Sequence, residues 1–304
     1  MINILHIGIC HGKNGFTDAL RNVGNYAEIP TNIPDLNELI VKHGERNKGL
    51  VFIQIQSDGI FPQTIATLRH QGNFVINWTG DVRHSVPQWM HYFGADLTCF
   101  SNMNDVDAFN HANSDFLQIG YDPEIYKKEV LKTVTTPEVV FMGNSFANQF
   151  PLSGFRREMV HFLKDTYVNN FGVYGGGWPF PSGNFNGNQQ GESQVYSGAK
   201  IAINCSHFDY RRYTSDRMFR ILGSGCFCLT KWYPEIEADF EDGRHLVIWR
   251  TLTELKDKID YYLAHENERK EIADAGYEYA LNNFTFSHMA DNIIKLYDKW
   301  KTNA

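Results

Sequence analysis

The stretch Tyr210–Glu237, YRRYTSDRMFRILGSGCFCLTKWYPEIE, decides the fold because it predicts one complete step from a helix to a buried strand. Three residues of the kind that begin helices precede an apolar set at helical spacing. The helix-starting residues are Thr214, Ser215 and Asp216, and the apolar set is Met218, Phe219, Ile221 and Leu222. Gly223 and Gly225 then end the helix, and the apolar run over 226–230 predicts a strand buried in a sheet.

The start of this helix also predicts a site for a phosphorylated ligand. The unpaired amides of the first turn of a helix favour anions. Guanidinium groups match the oxygen geometry of a phosphate. Four of them lie close to this turn in the sequence: Arg211, Arg212, Arg217 and Arg220.

Similar steps recur along the chain. Short apolar runs at 4–9, 50–55, 74–78 and 97–100 alternate with stretches compatible with helices, and a second series occupies 139–142, 171–174, 201–205, 227–230 and 245–249. This alternation predicts parallel β-α units, and two series imply two doubly wound domains. Pro123 and Pro137 bracket a segment of poor periodicity, so we place the boundary near Thr135. The expected division is 1–134, 135–286 and a terminal amphipathic helix in 287–304.

Composition excludes several classes of protein. A net charge of −7 over 304 residues argues against a broad basic surface for nucleic acid or anionic membranes. The five cysteines are odd in number and include no C-x-x-C pair, so we expect reduced core residues. No apolar stretch approaches about 18 residues, and we expect a cytoplasmic protein with no integral membrane segment. The 12 histidines lack an H-E-x-x-H spacing, so no metal site is predicted.

Several motifs together resemble a known family. In the second half these are Ser215-Asp216-Arg217 with Phe219 and Gly225, Pro234–Glu237, Asp242-Gly243, 255–263 and 268–276. In the first half they are 77–83, 120–123 and 140–144. In order and spacing the set is similar to group-1 glycosyltransferases, in particular to the spore-maturation-type branch. Phage-borne relatives of this type make a phage origin one expectation.

The resemblance implies an α/β protein of GT-B architecture, with two Rossmann-like domains facing a cleft and a terminal helix that packs back on the first domain. It implies an enzyme that moves a sugar from a nucleoside-diphosphate sugar, UDP being the first candidate, to an acceptor hydroxyl without a catalytic metal or other cofactor. The second domain would hold the donor. Arg217, helped by Arg212 and the amides near Ser215, would stabilise the leaving diphosphate. The alternative for Arg217 is a surface arginine paired with Asp216 or Asp209.

One position departs from the family. Members commonly carry a glutamate directly after the Phe of this helix, where it grips the ribose of the donor, and this chain has Arg220 there. Arg220 could contact phosphate, or it could point away and leave the ribose to Glu235 or Glu237.

Two glycine-containing segments after strands complete the expected donor site. Gly143, Asn144 and Ser145 follow the first strand of the second domain, and Gly175 and Gly176 follow the next one. Glycine there would let the backbone approach a nucleotide, although a plain turn or a surface loop is the alternative. The remaining donor candidates are Arg212, Tyr213, Thr214, Ser215, Asp216, Arg220, Glu235 and Glu237.

Polar residues at strand ends of the first domain are expected to hold the acceptor. Asp81 follows the strand at 74–78 and is our candidate general base for an inverting transfer. Its alternative role is to cap a helix or to pair with Arg83. The candidates for contact with the acceptor are His11, Gly12, Asp58, Trp78, Arg83 and His84. For His11 a structural role, and for Asp58 a turn with Gly59, are the alternatives.

The acceptor itself stays open at this stage. A saccharide, a lipid-linked group or a protein is the default expectation. A hydroxymethylated base in DNA is an alternative, because the aromatic and basic segments 84–92 and 210–213 could hold an extruded base, although the acidic net charge opposes it. Two other classes also remain: a non-catalytic module that binds a sugar nucleotide, and a nucleotide-sugar epimerase.

Overall fold

The chain folds into two α/β units. A computed structural model describes residues 1–8, 15–55, 59–128, 135–185 and 188–302. The first unit comprises residues 1–120 together with 286–304, and the second comprises 121–285. Each unit is built on one parallel sheet with helices between its strands.

The first unit contains six parallel strands. In chain order its elements are β1 (Ile2–Gly8), α1 (Gly15–Val23), β2 (Gly24–Pro30), α2 (Leu36–Asn47), β3 (Leu50–Ile53), α3 (Pro62–His70), β4 (Phe74–Thr79), α4 (Gln88–Tyr92), β5 (Leu97–Phe100), α5 (Met103–Phe109) and β6 (Ser114–Phe116). The strands pair in the order β2-β1-β3-β4-β5-β6.

The second unit contains five parallel strands. Its elements are β7 (Val139–Met142), α6 (Ser153–Tyr167), β8 (Phe171–Tyr174), α7 (Gln189–Gly198), β9 (Ile201–Asn204), α8 (Asp216–Gly223), β10 (Phe227–Lys231), β11 (Val247–Trp249), α9 (Leu252–Ala264) and α10 (Glu266–Asn283). The strand order is β11-β10-β9-β7-β8. From β7 the chain therefore goes to β8 on one side and then returns to β9 on the other. Such a reversal leaves a crevice at the carboxyl ends of β7 and β9, the adjacent strands whose connections leave in opposite directions.

The last helix, α11 (Phe286–Lys301), belongs to the first unit. It buries Met289, Ala290, Ile293 and Tyr297 in the same apolar cluster as α1 and one face of the sheet. The rings of Phe74 and Tyr297 meet edge to face with their centroids 5.6 Å apart. The other face of the sheet carries α2 and α3. Burial on both faces explains why these strands are nearly continuous apolar runs.

The fold class predicted from the sequence is confirmed in its two parallel, Rossmann-like sheets. The division of the chain differs from the sequence-based one at residues 121–128, which lie with the second unit. Tyr126 donates its hydroxyl hydrogen to Glu192 at 2.8 Å, and Ser193 Oγ donates to the carbonyl of Ile125 at 2.7 Å. These contacts join residues far apart in sequence, which periodicity does not reveal. The segment 129–134, next to the expected boundary at Thr135, lies outside the described residues.

Within the ranges given above, no helix is both long enough and apolar enough to cross a membrane.

Candidate functional site: a pocket at the switch point of the second sheet

A pocket of about 330 Å³ lies in the second unit, at the carboxyl ends of β7 and β8 and beside α7 and α8. It therefore lies at the crevice that the strand order creates. Twelve residues line it: Met142, Gly143, Asn144, Phe146, Tyr174, Gly175, Phe185, Gln189, Glu192, Asp216, Arg217 and Arg220.

Arg156 of α6 supplies the first of two guanidinium groups behind this pocket. It is fully buried, and it donates to the carbonyls of Cys205 and, at 3.0 Å, of Asn144. Its Nε has no partner among the described residues. Burial, followed by the charge of Arg217, lowers the pKa of Arg156 to about 9. The guanidinium still carries its charge near pH 7, but burial and the neighbouring charge make that charge costly.

Arg217 of α8 supplies the second guanidinium group behind the pocket. Its Nη1 donates to Asn204 Oδ1 at 3.2 Å and to the carbonyl of Cys205 at 3.3 Å. Both guanidiniums lie over the ring of Phe141, at 5.0 Å for Arg156 and 5.5 Å for Arg217. Neither forms an ion pair with a carboxylate of the described chain. The charges of Arg156 and Arg217 repel each other, and the nearby carboxylate of Asp216 is already paired with Arg220, so an anion between the two guanidiniums would stabilise both.

The two arginines converge on Gly143. A Cβ atom there would lie 2.8 Å from Arg217 Nη2 and 2.9 Å from Arg156 Nη2, and the residue has a φ of +150°. Only glycine leaves this space beside the guanidiniums. The backbone after β7 can therefore approach a ligand that the arginines hold.

Hydrogen bonds hold the two predicted glycine segments together. Gly176 N donates to Asn144 Oδ1 at 2.7 Å, and Ser145 N donates to the carbonyl of Gly176 at 2.9 Å. Gly175 has a φ of +126°, and a Cβ there would lie 2.6 Å from the carbonyl oxygen of Gly143. The sequence thus predicted two segments that the structure brings to one pocket.

Arg220 also lines the pocket, but carboxylates neutralise its charge. Its Nη2 lies 2.6 Å from Asp216 Oδ2, and its Nη1 lies 3.1 Å from Glu192 Oε2. Burial alone would lower the pKa of Arg220, but Asp216 and then Glu192 outweigh burial and raise it. Arg220 is therefore already paired, in contrast to Arg156 and Arg217.

A nearby histidine responds to the positive potential of the site. Nδ1 of His207 lies 3.2 Å from Ser153 Oγ at the start of α6. Burial, then the charges of Arg156 and Arg217, lower the pKa of His207 to about 3. The imidazole is consequently neutral near pH 7.

Eight of the predicted donor residues are not among those that line this pocket. Arg212 pairs with Asp239 at 2.6 Å, Glu235 pairs with Arg211 at 2.7 Å, and Glu237 accepts from Trp232 Nε1 at 3.2 Å. Thr214 Oγ1 lies 2.7 Å from the Tyr233 hydroxyl. The others are Tyr213, Ser215, Ser145 and Gly176, of which the last two bond to each other beside the pocket.

Ser215 is the N-cap residue of α8, as its type suggested, but its hydroxyl makes no cap hydrogen bond. It donates instead to Asn204 Oδ1 at 3.2 Å. Asn204 thus joins the start of α8 to the end of β9, and the same oxygen accepts from Arg217. The Ser215 hydroxyl therefore fixes the position of α8 and does not cap the amides of its first turn.

In the first unit, Asp81 and His84 are exposed just after β4. Arg83 donates to Thr79 Oγ1 at 3.2 Å. Trp78 is only 2% exposed, and its indole N–H donates to the carbonyl of Leu117 at 3.0 Å. Its side chain belongs to the core and offers no surface for the acceptor, because it points to the face that α11 covers. The other predicted acceptor residues, His11, Gly12 and Asp58, lie outside the described residues.

Sequence reasoning missed two charged residues of the site, Arg156 and Glu192. Arg156 lies on the buried face of α6 with Met159, Val160 and Leu163. A charged residue within an apolar helical stripe was the available signal. Glu192 gave no comparable signal, because a glutamate on a polar helix normally faces solvent.

No group of three or more His, Cys, Asp or Glu side chains is placed to hold a metal ion in the part of the chain that the structure describes.

A comparison with protein families matches a segment that contains α7 and α8, the two helices beside this pocket. Residues 156–295 match the Glyco_trans_1_2 model, described as glycosyl transferase-like. This segment, a little under half of the chain, is thus similar to a glycosyl transferase-like domain. No curated protein sequence matches the chain significantly.

Solved structures show the same fold over the whole chain. A glycosyltransferase from Rickettsia africae ESF-5 has a TM-score of 0.66 at 10% identity, with 100% of both chains covered. Anabaena HepE in complex with UDP and glucose has a TM-score of 0.66 at 10% identity, covering 97% of this chain and 99% of HepE. Sucrose-phosphate synthase from Thermosynechococcus elongatus has a TM-score of 0.66 at 11% identity, with 100% of both chains covered.

These likenesses show the GT-B fold. The prediction of a glycosyltransferase-type enzyme is confirmed by the domain match taken together with this fold.

Proposed function

We propose that this glycosyltransferase-type enzyme moves a sugar from a nucleoside-diphosphate sugar to an acceptor hydroxyl, with the diphosphate held between Arg156 and Arg217. The observation that carries the proposal is the pair of guanidiniums without a counterion, converging on Gly143 at the switch point of the sheet. A diphosphate supplies the negative charges that this pair lacks.

The same groups suit the chemical step. As the bond between the anomeric carbon and the diphosphate oxygen breaks, its electron pair stays on that oxygen, and preorganised guanidiniums stabilise the new charge. The acceptor oxygen forms the new bond to the anomeric carbon and gives up its proton. We assign that proton to the exposed carboxylate of Asp81, as a general base in an inverting transfer.

The arginine pair also supports a reaction that needs no catalytic metal, because two fixed positive charges supply the compensation that a metal ion otherwise provides. UDP is the first donor nucleotide to test, since HepE, a fold neighbour, is bound to UDP in its structure.

Three finer assignments complete the proposal. The order of the sequence motifs supports the spore-maturation-type branch, including its phage-borne members. The four described cysteines are all buried and none of them is in a disulfide, which supports a reducing, cytoplasmic location. The net charge of −7 favours a saccharide, lipid-linked or protein acceptor over duplex DNA.

A panel of UDP, GDP, dTDP and CMP sugars in a thermal-shift assay tests the donor site, because a ligand of the folded state raises its apparent stability. We expect one nucleotide class to raise the Tm selectively. No shift with any of them would contradict the proposal.

Turnover with the donor that binds then separates the reaction classes. Nucleotide released only when an acceptor is present supports transfer. Epimerised donor formed without acceptor would point to an epimerase, and binding without turnover over an acceptor panel would point to a non-catalytic module.

A further inference from the structure

A carboxylate faces the same pocket beside the arginines. Glu192 lies on the first turn of α7 and is 9% exposed. It makes no ion pair with Arg156 or Arg217 and pairs instead with Arg220. The pocket therefore combines a cationic wall with one buried hydrogen-bond acceptor.

Glu192 is held firmly yet keeps room for a ligand. Its Oε2 accepts from the Tyr126 hydroxyl at 2.8 Å and from Arg220 Nη1 at 3.1 Å. Its Oε1 has only the longer 3.4 Å contact to Arg220 Nη1. A carboxylate has about four lone-pair sites, so acceptor positions remain on Oε1. The two donors fix the side-chain conformation before any ligand arrives.

The other carboxylate of the pocket, Asp216, is more exposed, with 44% of its side chain accessible against 12% for Glu192. Asp216 Oδ1 accepts from the backbone N–H of Arg217 at 2.7 Å, and Oδ2 is paired with Arg220 at 2.6 Å. Of these two lining carboxylates, Asp216 is bonded to the residue that would hold phosphate, so Glu192 is the one left for a neighbouring group of the ligand.

The spacing suits a nucleoside diphosphate. Arg217 and Arg220 are three residues apart on α8, which brings their side chains to one face about 5–6 Å apart at Cβ. Arg217 would hold phosphate. Arg220, one turn further along α8, holds Glu192 of α7 in position. In a nucleotide, the ribose follows the phosphate through a single methylene link. The ribose carries two hydroxyl donors, whereas a carboxylate only accepts.

Resting on the proposed donor site, we propose that Glu192 accepts hydrogen bonds from the ribose hydroxyls of the donor and makes the pocket selective for ribonucleotides. Phosphate oxygens would be repelled from this carboxylate, so Glu192 also sets the direction in which the nucleotide lies.

The test compares ligands as well as proteins. The full chain is titrated by calorimetry with UDP and GDP, each beside its 2′,3′-dideoxy form. Hydrogen bonds to a charged group predict that the wild type binds the better ribonucleotide about tenfold to a hundredfold more tightly than its dideoxy form. In Glu192→Gln this ratio should fall to within about threefold, because only a weaker, neutral acceptor remains.

Glu237→Gln serves as the rival variant, since Glu237 was the sequence-based candidate for the ribose and lies outside this pocket. Its ratio should match that of the wild type. Equal binding of ribo and dideoxy forms by the wild type, an undiminished ratio in Glu192→Gln, or a ratio lost in Glu237→Gln instead would each overturn the inference. The wild-type comparison decides even if Glu192→Gln fails to fold. Binding of neither nucleotide would overturn this inference, and if the dTDP and CMP sugars of the thermal-shift panel also fail to bind, the proposed donor site falls with it.

Discussion

Replacing Arg217 with methionine should remove donor binding while leaving the fold intact. The two hydrogen bonds of Arg217, at 3.2 and 3.3 Å, are long and leave carbonyl and amide oxygens that have other partners nearby. Losing them is expected to destabilise the chain by about 1 kcal/mol each at most. Relief of the repulsion with Arg156 opposes this loss. The Tm without ligand should therefore change little.

The effect on the ligand is larger. Two charge-assisted hydrogen bonds to phosphate at about 1.5 kcal/mol each amount to about a hundredfold in affinity. At a donor concentration of 100 Kd the wild type gains about 2.7 kcal/mol from binding, whereas a hundredfold weaker variant gains about 0.4 kcal/mol. For a unit of this size, the Tm shift should fall from about 5–10 °C to about 1–2 °C.

Thermal shift with the donor that stabilises the wild type measures this loss. Arg244→Met is the matched control, because Arg244 is 66% exposed and pairs only with Glu241 at the surface. It should keep the full shift. An undiminished shift in Arg217→Met, or an equal loss in Arg244→Met, would refute the reasoning about the arginine pair.

Three further outcomes are expected. Asp81→Asn should retain the donor-induced Tm shift and lower the transfer rate by about 10²–10⁴-fold in an assay of nucleotide release; unchanged transfer would exclude Asp81 as the base. Gly143→Ala should abolish donor binding, because its Cβ would lie 2.8 Å from Arg217 Nη2, and the strained φ of +150° should lower the free energy of unfolding in urea by about 1–3 kcal/mol; wild-type values of both would count against the close approach. His207 has a folded-state pKa of about 3 against 6.5 when unfolded, so the unfolded state binds more protons in between. Stability should thus be complete above pH 6.5 and decline as pH falls toward 3, and His207→Asn should flatten that dependence in denaturant titrations; an identical pH profile would contradict the assignment.

Local pattern was sufficient for much of the fold. The strand at β7, the glycines that follow it and the helix that begins after Ser215 were all predicted from residue type and spacing. These features depend on neighbours in sequence, because hydrophobic periodicity and backbone preference act over a few residues. Arg217 was found for the same reason, since it stands in the first turn of a predicted helix.

Tertiary structure decided which side chains share the site. Arg156 and Arg217 are 61 positions apart in number and meet only because β7 and β9 are adjacent in the sheet. Trp78, which was expected to contact the acceptor, lies in the core. Glu192, whose residue type normally faces solvent, lines the pocket. The sequence by itself determined the elements and the kind of fold. Only the packing of distant elements determined the charges left unpaired around Gly143, because an electrostatic site depends on distances in space that residue spacing does not encode.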